Sequence, residues 1–166
     1  MSFAPLTVGF YTYKEAEYEL LMGWIDILLR SPETLPSGID TVKRVRDECI
    51  PFLPDLKQSF LAQCYNYGGY LHEERKWDEV VKWCSLIIES CEKESHEGFR
   101  KVREKSLYLL CDAYIALHDE SKSLLCLQLC TQPECCPIQF LYLKYYIEIK
   151  DNEKAIEAMQ KLTALA

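Results

Sequence analysis

The sequence predicts an all-α protein of about eight helices, joined as antiparallel hairpins. Three observations carry this. Apolar residues recur at about 3.6-residue spacing along most of the chain. No stretch shows the two-residue alternation of a strand. The helical stretches are separated by short polar turns, and short connections make neighbouring helices antiparallel.

The first expected helix, 13–30, carries Tyr13, Leu20, Leu21, Trp24, Ile27 and Leu28 near helical spacing. SPETLPSG (31–38) reads as a loop, because Pro32, Pro36 and Gly38 break the pattern. A second helix is expected over 39–50 with Val42, Val45 and Cys49 on one face, stopped by Pro51 and Pro54. The third spans about 56–72. The fourth spans 78–93, with Trp77, Val80, Cys84, Ile87, Ile88 and Cys91 as its stripe and Asp78 and Glu79 suiting its positive N-terminal end. KESHEG is the next loop. The fifth and sixth helices cover 99–117 and 121–130 around the turn HDES. TQPECCP leads to a seventh helix over 138–149, with Pro137 placed for its first turn. After KDN, an eighth runs from 153 to the end.

Composition narrows the function. The chain has 166 residues, 49% of them hydrophobic and 12% aromatic, enough for one domain with a core. Only six glycines and seven prolines are present, few for a turn-rich β protein. The net charge of -7 lacks the broad basic footprint of a nucleic-acid binder. The N-terminus has no basic region ahead of an apolar core, so no signal peptide is expected. Apolar runs are interrupted by Asp26, Glu89 and Lys144 before they reach the roughly 20 residues that span a membrane. A nuclear or cytosolic protein with reduced thiols is the expectation.

Reduced thiols bear on the nine cysteines. The densest group is CLQLCTQPECCP (126–137). Cys126, Cys130, Cys135 and Cys136 are weak zinc candidates, since no C-x2-C pair is present and the nearest histidine is His118. Cys126 and Cys130 also lie one helical turn apart among leucines, where cysteine acts as a small buried hydrophobe. Core packing is the expected role, and no metal or other cofactor is expected.

Three segments repeat. FLAQCYNYGGYLHEERKWDEVVKWCSLIIE, SLYLLCDAYIALHDESKSLLCLQLCTQPEC and QFLYLKYYIEIKDNEKAIEAMQKLTA each read as helix, polar turn, helix. With Gly68, Cys111 and Leu143 taken as equivalent, the offsets are 43 and 32 residues. The second approaches the period of about 34 residues of tetratricopeptide repeats. Their pattern asks for a small or apolar eighth residue, a large eleventh and a small twentieth. The chain supplies Gly68, Leu71 and Val80, then Cys111, Tyr114 and Ser123, then Leu143, Tyr146 and Ala155. The expected architecture is a right-handed superhelix of tetratricopeptide-like hairpins, a single α-solenoid domain over 1–166. A divergent helix pair (12–54) precedes about three hairpins (56–166), and the whole is expected to belong to a longer solenoid.

Residues 56–166 resemble one family of such repeats, the meiotic crossover and synapsis proteins of the yeast zip-four or sporulation-specific type and the mammalian testis-expressed-eleven type. The resemblance rests on YNYGGYLHEERKWDEVVKWCSLII with Asn66, Gly68 and Trp83, on KVREKSLYLLCDAYIAL, and on CCPIQFLYLKYYIEIKDNEKAIEAMQKL. Val80 and Ser123 stand where the pattern usually has alanine, so looser hairpins are expected there. The resemblance implies a scaffold in meiotic recombination and synapsis, chromosome-associated in the nucleus. A general cytoplasmic adaptor of the same fold is the alternative.

In such arrays the first helices of successive hairpins line a groove. Its fifth, ninth and twelfth positions hold Tyr65, Gly69 and His72, then Tyr108, Asp112 and Ile115, then Phe140, Lys144 and Ile147. Tyr65, His72, Tyr108, Asp112, Ile115, Phe140 and Lys144 are the expected partner-binding residues, suited to an extended or helical peptide from another protein. Tyr65, Gly69, Leu109, Pro137 and Leu141 fall where carboxylate-clamping repeats carry cations, so a chaperone-tail clamp is not expected. RKVREK (100–105) and KRVR (43–46) read as solvated helix faces. No phosphate loop, H-E-x-x-H or nucleophile elbow is present, and catalysis is not expected. Ala155, Ile156, Met159 and Leu162 give the last helix an apolar face expected to associate.

Overall fold

The computed structural model describes residues 16, 19–20, 23, 35–50, 54–131 and 135–165. All the elements formed by these residues are helical. The chain divides into two compact units, 1–63 and 64–166. The expected helix over 13–30 lies largely outside the described residues.

In the first unit, α1 spans Leu35–Arg44 and continues as a π-helical turn, Val45–Cys49. The helix thus begins inside the segment expected to be a loop. Pro36 is compatible with a first turn, because the N–H it lacks has no intrahelical partner there. The α-helix also ends earlier than expected, at Arg44 rather than Ile50. Ile39, Val42 and Ile50 are buried. A short 3-10 turn, Pro54–Leu56, leads into α2, Lys57–Glu73, within which the division of the chain falls.

The second unit contains the rest of α2 and five further helices. These are α3 (Trp77–Cys91), α4 (Glu97–Ala116), α5 (Glu120–Leu129), α6 (Cys136–Glu148) and α7 (Asn152–Leu165). Their order matches the sequence pattern, and α6 packs against both α4 and α5. Among the described residues, no helix is long and apolar enough to cross a membrane.

The three hairpin turns share one hydrogen-bond scheme. Arg75, His118 and Lys150 adopt left-handed φ values of 57°, 60° and 62°. Each donates its N–H three residues back, to His72, Ile115 and Ile147 at 3.0–3.1 Å. The next N–H reaches five residues back, from Lys76 to Leu71, Asp119 to Tyr114 and Asp151 to Tyr146, at 2.9–3.0 Å. This is a Schellman closure, which satisfies the terminal carbonyls of the first helix. The same residues begin the second helices. Asp119 and Asp151 accept from the N–H of Lys122 and Lys154, both at 3.2 Å, while Lys76 makes no side-chain cap. The three turns recur at the 43- and 32-residue offsets, so the backbone supports the register read from the sequence.

Packing inside the unit follows that register. Val80, Ser123 and Ala155, the small twentieth residues, are all buried. Ser123 fits because its hydroxyl donates back to the Asp119 carbonyl at 2.7 Å. The Tyr67 ring meets the Trp83 ring edge-on at 4.4 Å, and both side chains are fully enclosed. Among the described residues, the Tyr67 hydroxyl and Trp83 indole N–H are buried without hydrogen-bond partners, an opposing cost of about 1–3 kcal/mol each. A Cβ added at Gly68 would sit 3.7 Å from Cys84 Sγ, an ordinary contact, so alanine fits there but a long side chain does not. Leu107, Cys130 and Ile138 close the core between α4, α5 and α6.

Lys76→Asp is expected to add about 1 kcal/mol by supplying the cap that the first turn lacks. Gly69→Ala, with open space around its Cβ, should add about 0.5–1 kcal/mol. Gly68→Leu should cost about 1–3 kcal/mol by overpacking against Cys84. Urea melts of the three variants check all three signs.

Burial raises the thiols of Cys64, Cys84 and Cys130 to about 12 and that of Cys126 to about 11, from an ordinary 9.0. Between those limits the folded chain keeps protons that the unfolded chain loses, so stability falls as pH rises above about 9. Melting temperature should therefore drop progressively from pH 9 to 11. Cys126→Ala should make the dependence shallower by up to about 1.4 kcal/mol per pH unit, even with a lower starting stability.

Candidate partner-binding groove

Three side chains from three successive first helices meet in the second unit. His72 lies in the last turn of α2, Asp112 near the C-terminal end of α4 and Lys144 in α6. The Asp112 carboxylate links the other two. One oxygen lies 2.6 Å from His72 Nε2, and the other accepts from Lys144 Nζ at 2.9 Å. Asp112 is the most enclosed of the three, with 16% of its side chain exposed. A carboxylate so placed is held by charge-assisted bonds on both oxygens.

An apolar wall adjoins this polar chain. Trp77 meets the His72 ring edge-on at 5.2 Å. With Ile115, Ala116 and Ile147 it lines an open cavity of about 610 Å³ that includes His72, Asp112 and Lys144. At one end His118 Nδ1 pairs with Glu148 across the same groove. The arrangement offers a hydrophobic floor and a few fixed polar groups, a combination that orients a ligand. Among the described residues, its lining includes no serine, threonine or cysteine beside the His72–Asp112 pair.

Of the seven residues expected from the sequence, the cavity brings together His72, Asp112, Ile115 and Lys144. Phe140 is 49% exposed and stays near them through Lys144 Nζ, 4.9 Å from its ring centroid. Tyr65 and Tyr108 are partly buried and outside the cavity lining. Tyr65 has Lys105 Nζ 6.0 Å from its ring, and Tyr108 Oη lies 3.6 Å from Cys135 Sγ. Burial, followed by the neighbouring Cys135, raises the Tyr108 hydroxyl above its ordinary range.

Trp77, His118 and Glu148 were not among the expected groove residues. Trp77 opens a second helix, and His118 stands in a turn. The repeat offsets carried the missing signal, since His118 occupies the position of Arg75, which also lines the cavity.

The weak zinc candidates separate into different environments. Cys126 and Cys130 are buried, and the Cys130 thiol donates to the Cys126 carbonyl at 3.3 Å. Cys135 is half-buried and Cys136 exposed. Among the described residues, no group of three His, Cys, Asp or Glu side chains is placed to hold a metal ion. The basic stretch 100–105 carries mixed chemistry, because Glu104 accepts from the Thr131 N–H at 2.8 Å and Lys101 pairs with Glu97 at 3.6 Å.

No family model, curated protein or solved structure matches the chain.

A thiol reagent applied briefly to the native protein should modify Cys136 before Cys64, Cys84, Cys91, Cys111, Cys126 and Cys130. Peptide mapping by mass spectrometry checks the order. Equal early labelling of Cys126 and Cys136 would contradict the packed-core assignment.

Proposed function

We propose that the chain is a non-enzymatic scaffold of tetratricopeptide-like repeats, arranged as a right-handed solenoid, that binds segments of other proteins. The observation that carries this is the groove in which His72, Asp112 and Lys144 come together beside Trp77, Ile115 and Ile147. An extended or helical peptide would place an apolar side chain on that wall. Its backbone or polar side chains would bond the fixed groups beside it. Neither a membrane nor direct nucleic-acid binding is part of this reading.

The biological setting proposed is the crossover and synapsis machinery of meiotic chromosomes, with a nuclear location. It is supported by the resemblance carried by Asn66, Gly68 and Trp83, by KVREKSLYLLCDAYIAL and by the segment around Pro137.

Two experiments test the two levels separately. Tagged protein in meiotic prophase nuclei is expected as foci along chromosome axes; a diffuse cytoplasmic signal in all tissues would overturn the meiotic setting and leave a general adaptor. Partners crosslinked to the parent chain should be lost from a His72→Ala, Lys144→Ala double variant that keeps its helical circular dichroism. Retention of every partner by that variant would remove the groove as the binding surface.

A further inference from the structure

The joint between α5 and α6 is bounded by two cysteines. Cys130 is the cap that ends α5, and Cys135 is the cap that opens α6. Both have extended backbone, and residues 131–134 separate them. The fold brings both side chains to one place. Cys130 belongs to the buried cluster with Leu107 and Ile138, and Cys135 packs against that cluster.

The two thiols differ in what can reach them. Cys130 is buried, and its thiol donates to the Cys126 carbonyl at 3.3 Å. Burial pushes that thiol up to about 12, so it stays protonated and is not the first to react with an oxidant. Cys135 is half-buried. Its Sγ lies 3.6 Å from Tyr108 Oη, and Tyr108 and Thr131 line an open cavity of about 530 Å³. A small oxidant entering this cavity arrives beside Cys135. Other sulfurs are poorer partners for it. Cys111 directs its thiol to the Ser123 carbonyl at the start of α5, and Cys126 lies a full turn farther from the joint. Cys136 is exposed but adjacent in the chain. Neighbouring Cα atoms, about 3.8 Å apart, fall short of the roughly 4.4–6.8 Å that an unstrained disulfide spans.

We infer that Cys130 and Cys135 form a reversible disulfide under hydrogen peroxide, a redox modification that staples α5 to α6. Cys135 gives up its proton and attacks one peroxide oxygen. The O–O bond breaks, Cys135 becomes a sulfenic acid, and the released hydroxide takes that proton and leaves as water. Cys130 then turns from the Cys126 carbonyl, and its sulfur displaces the hydroxyl from Cys135. That hydroxyl leaves as water with the Cys130 proton. Two thiols lose two electrons in total, and one peroxide is reduced to two waters. In a reducing compartment such a bond is transient. It forms where α6 begins, so it fixes to α5 the helix that carries Lys144 and Ile147. This modification does not depend on the groove being a binding surface.

The test uses the reduced full chain, treated with a few equivalents of hydrogen peroxide, blocked with N-ethylmaleimide and digested after Glu134 without reductant. Mass spectrometry should find the Cys130 and Cys135 fragments joined, and joined to the same extent in Cys136→Ser. Dithiothreitol should separate them. Cys130→Ala, with its helical circular dichroism retained, should lose the link and carry Cys135 on to sulfinic acid. The Cys136→Ser digest leaves the core untouched and decides the question by itself. Sulfinic acid at Cys135 beside an unmodified Cys130, a Cys135–Cys136 link, or disulfides found only between chains through Cys136 would each overturn the inference. A Cys130–Cys135 link that forms in urea but not in the native chain would overturn it too.

Discussion

The second unit depends on three turns in which one residue serves two helices. Lys76, Asp119 and Asp151 each close the helix before them by a backbone N–H and begin the helix after them. No spare residue separates the two elements, so the antiparallel pairing and its register are set together. The geometry requires a left-handed residue just before each of these. That position is filled by Arg75, His118 and Lys150 rather than glycine, which accepts a local backbone cost that glycine would avoid. Everything compared between hairpins rests on this shared backbone.

Within that frame, bulk is traded across each hairpin. Gly68 on α2 faces the buried Cys84 of α3. Cys111 on α4 has its thiol 3.7 Å from the Ser123 carbonyl at the start of α5. Leu143 is the largest residue at this position, and the second helix beside it buries only alanines, Ala155 and Ala158. The buried cysteines fit the same pattern as medium-sized apolar residues, and burial holds them as thiols. Hydroxyls are tolerated where they bond back into their own helix, as Ser106 does to the Val102 carbonyl at 2.7 Å.

The polar chain through Asp112 has a different role from the core. Partly exposed charge pairs contribute little stability, but they fix orientation. His72 and Lys144 hold one carboxylate from opposite sides, and this places a rigid polar edge along an apolar wall.

Helical class, the order of the helices from 57 onward and the hairpin offsets were legible in the sequence, because they follow from local periodicity and turn chemistry. The turns HDES and KDN, Pro137 in a first turn and the packing role of Cys126 and Cys130 are of this kind. The start of α1 at Leu35 was not legible, because Pro36 and Gly38 are permitted in a first turn as well as in a loop. His72, Asp112 and Lys144 could be named from repeat positions, yet their convergence on one carboxylate could not. Their side chains come from helices 40 and 32 residues apart, and the angle at which those helices pack decides which atoms meet. The neighbours of Tyr65 and Tyr108, Lys105 and Cys135, were likewise not legible from repeat positions. Local sequence thus determined which elements form and where they turn, while tertiary packing decided which faces are covered and which polar groups meet.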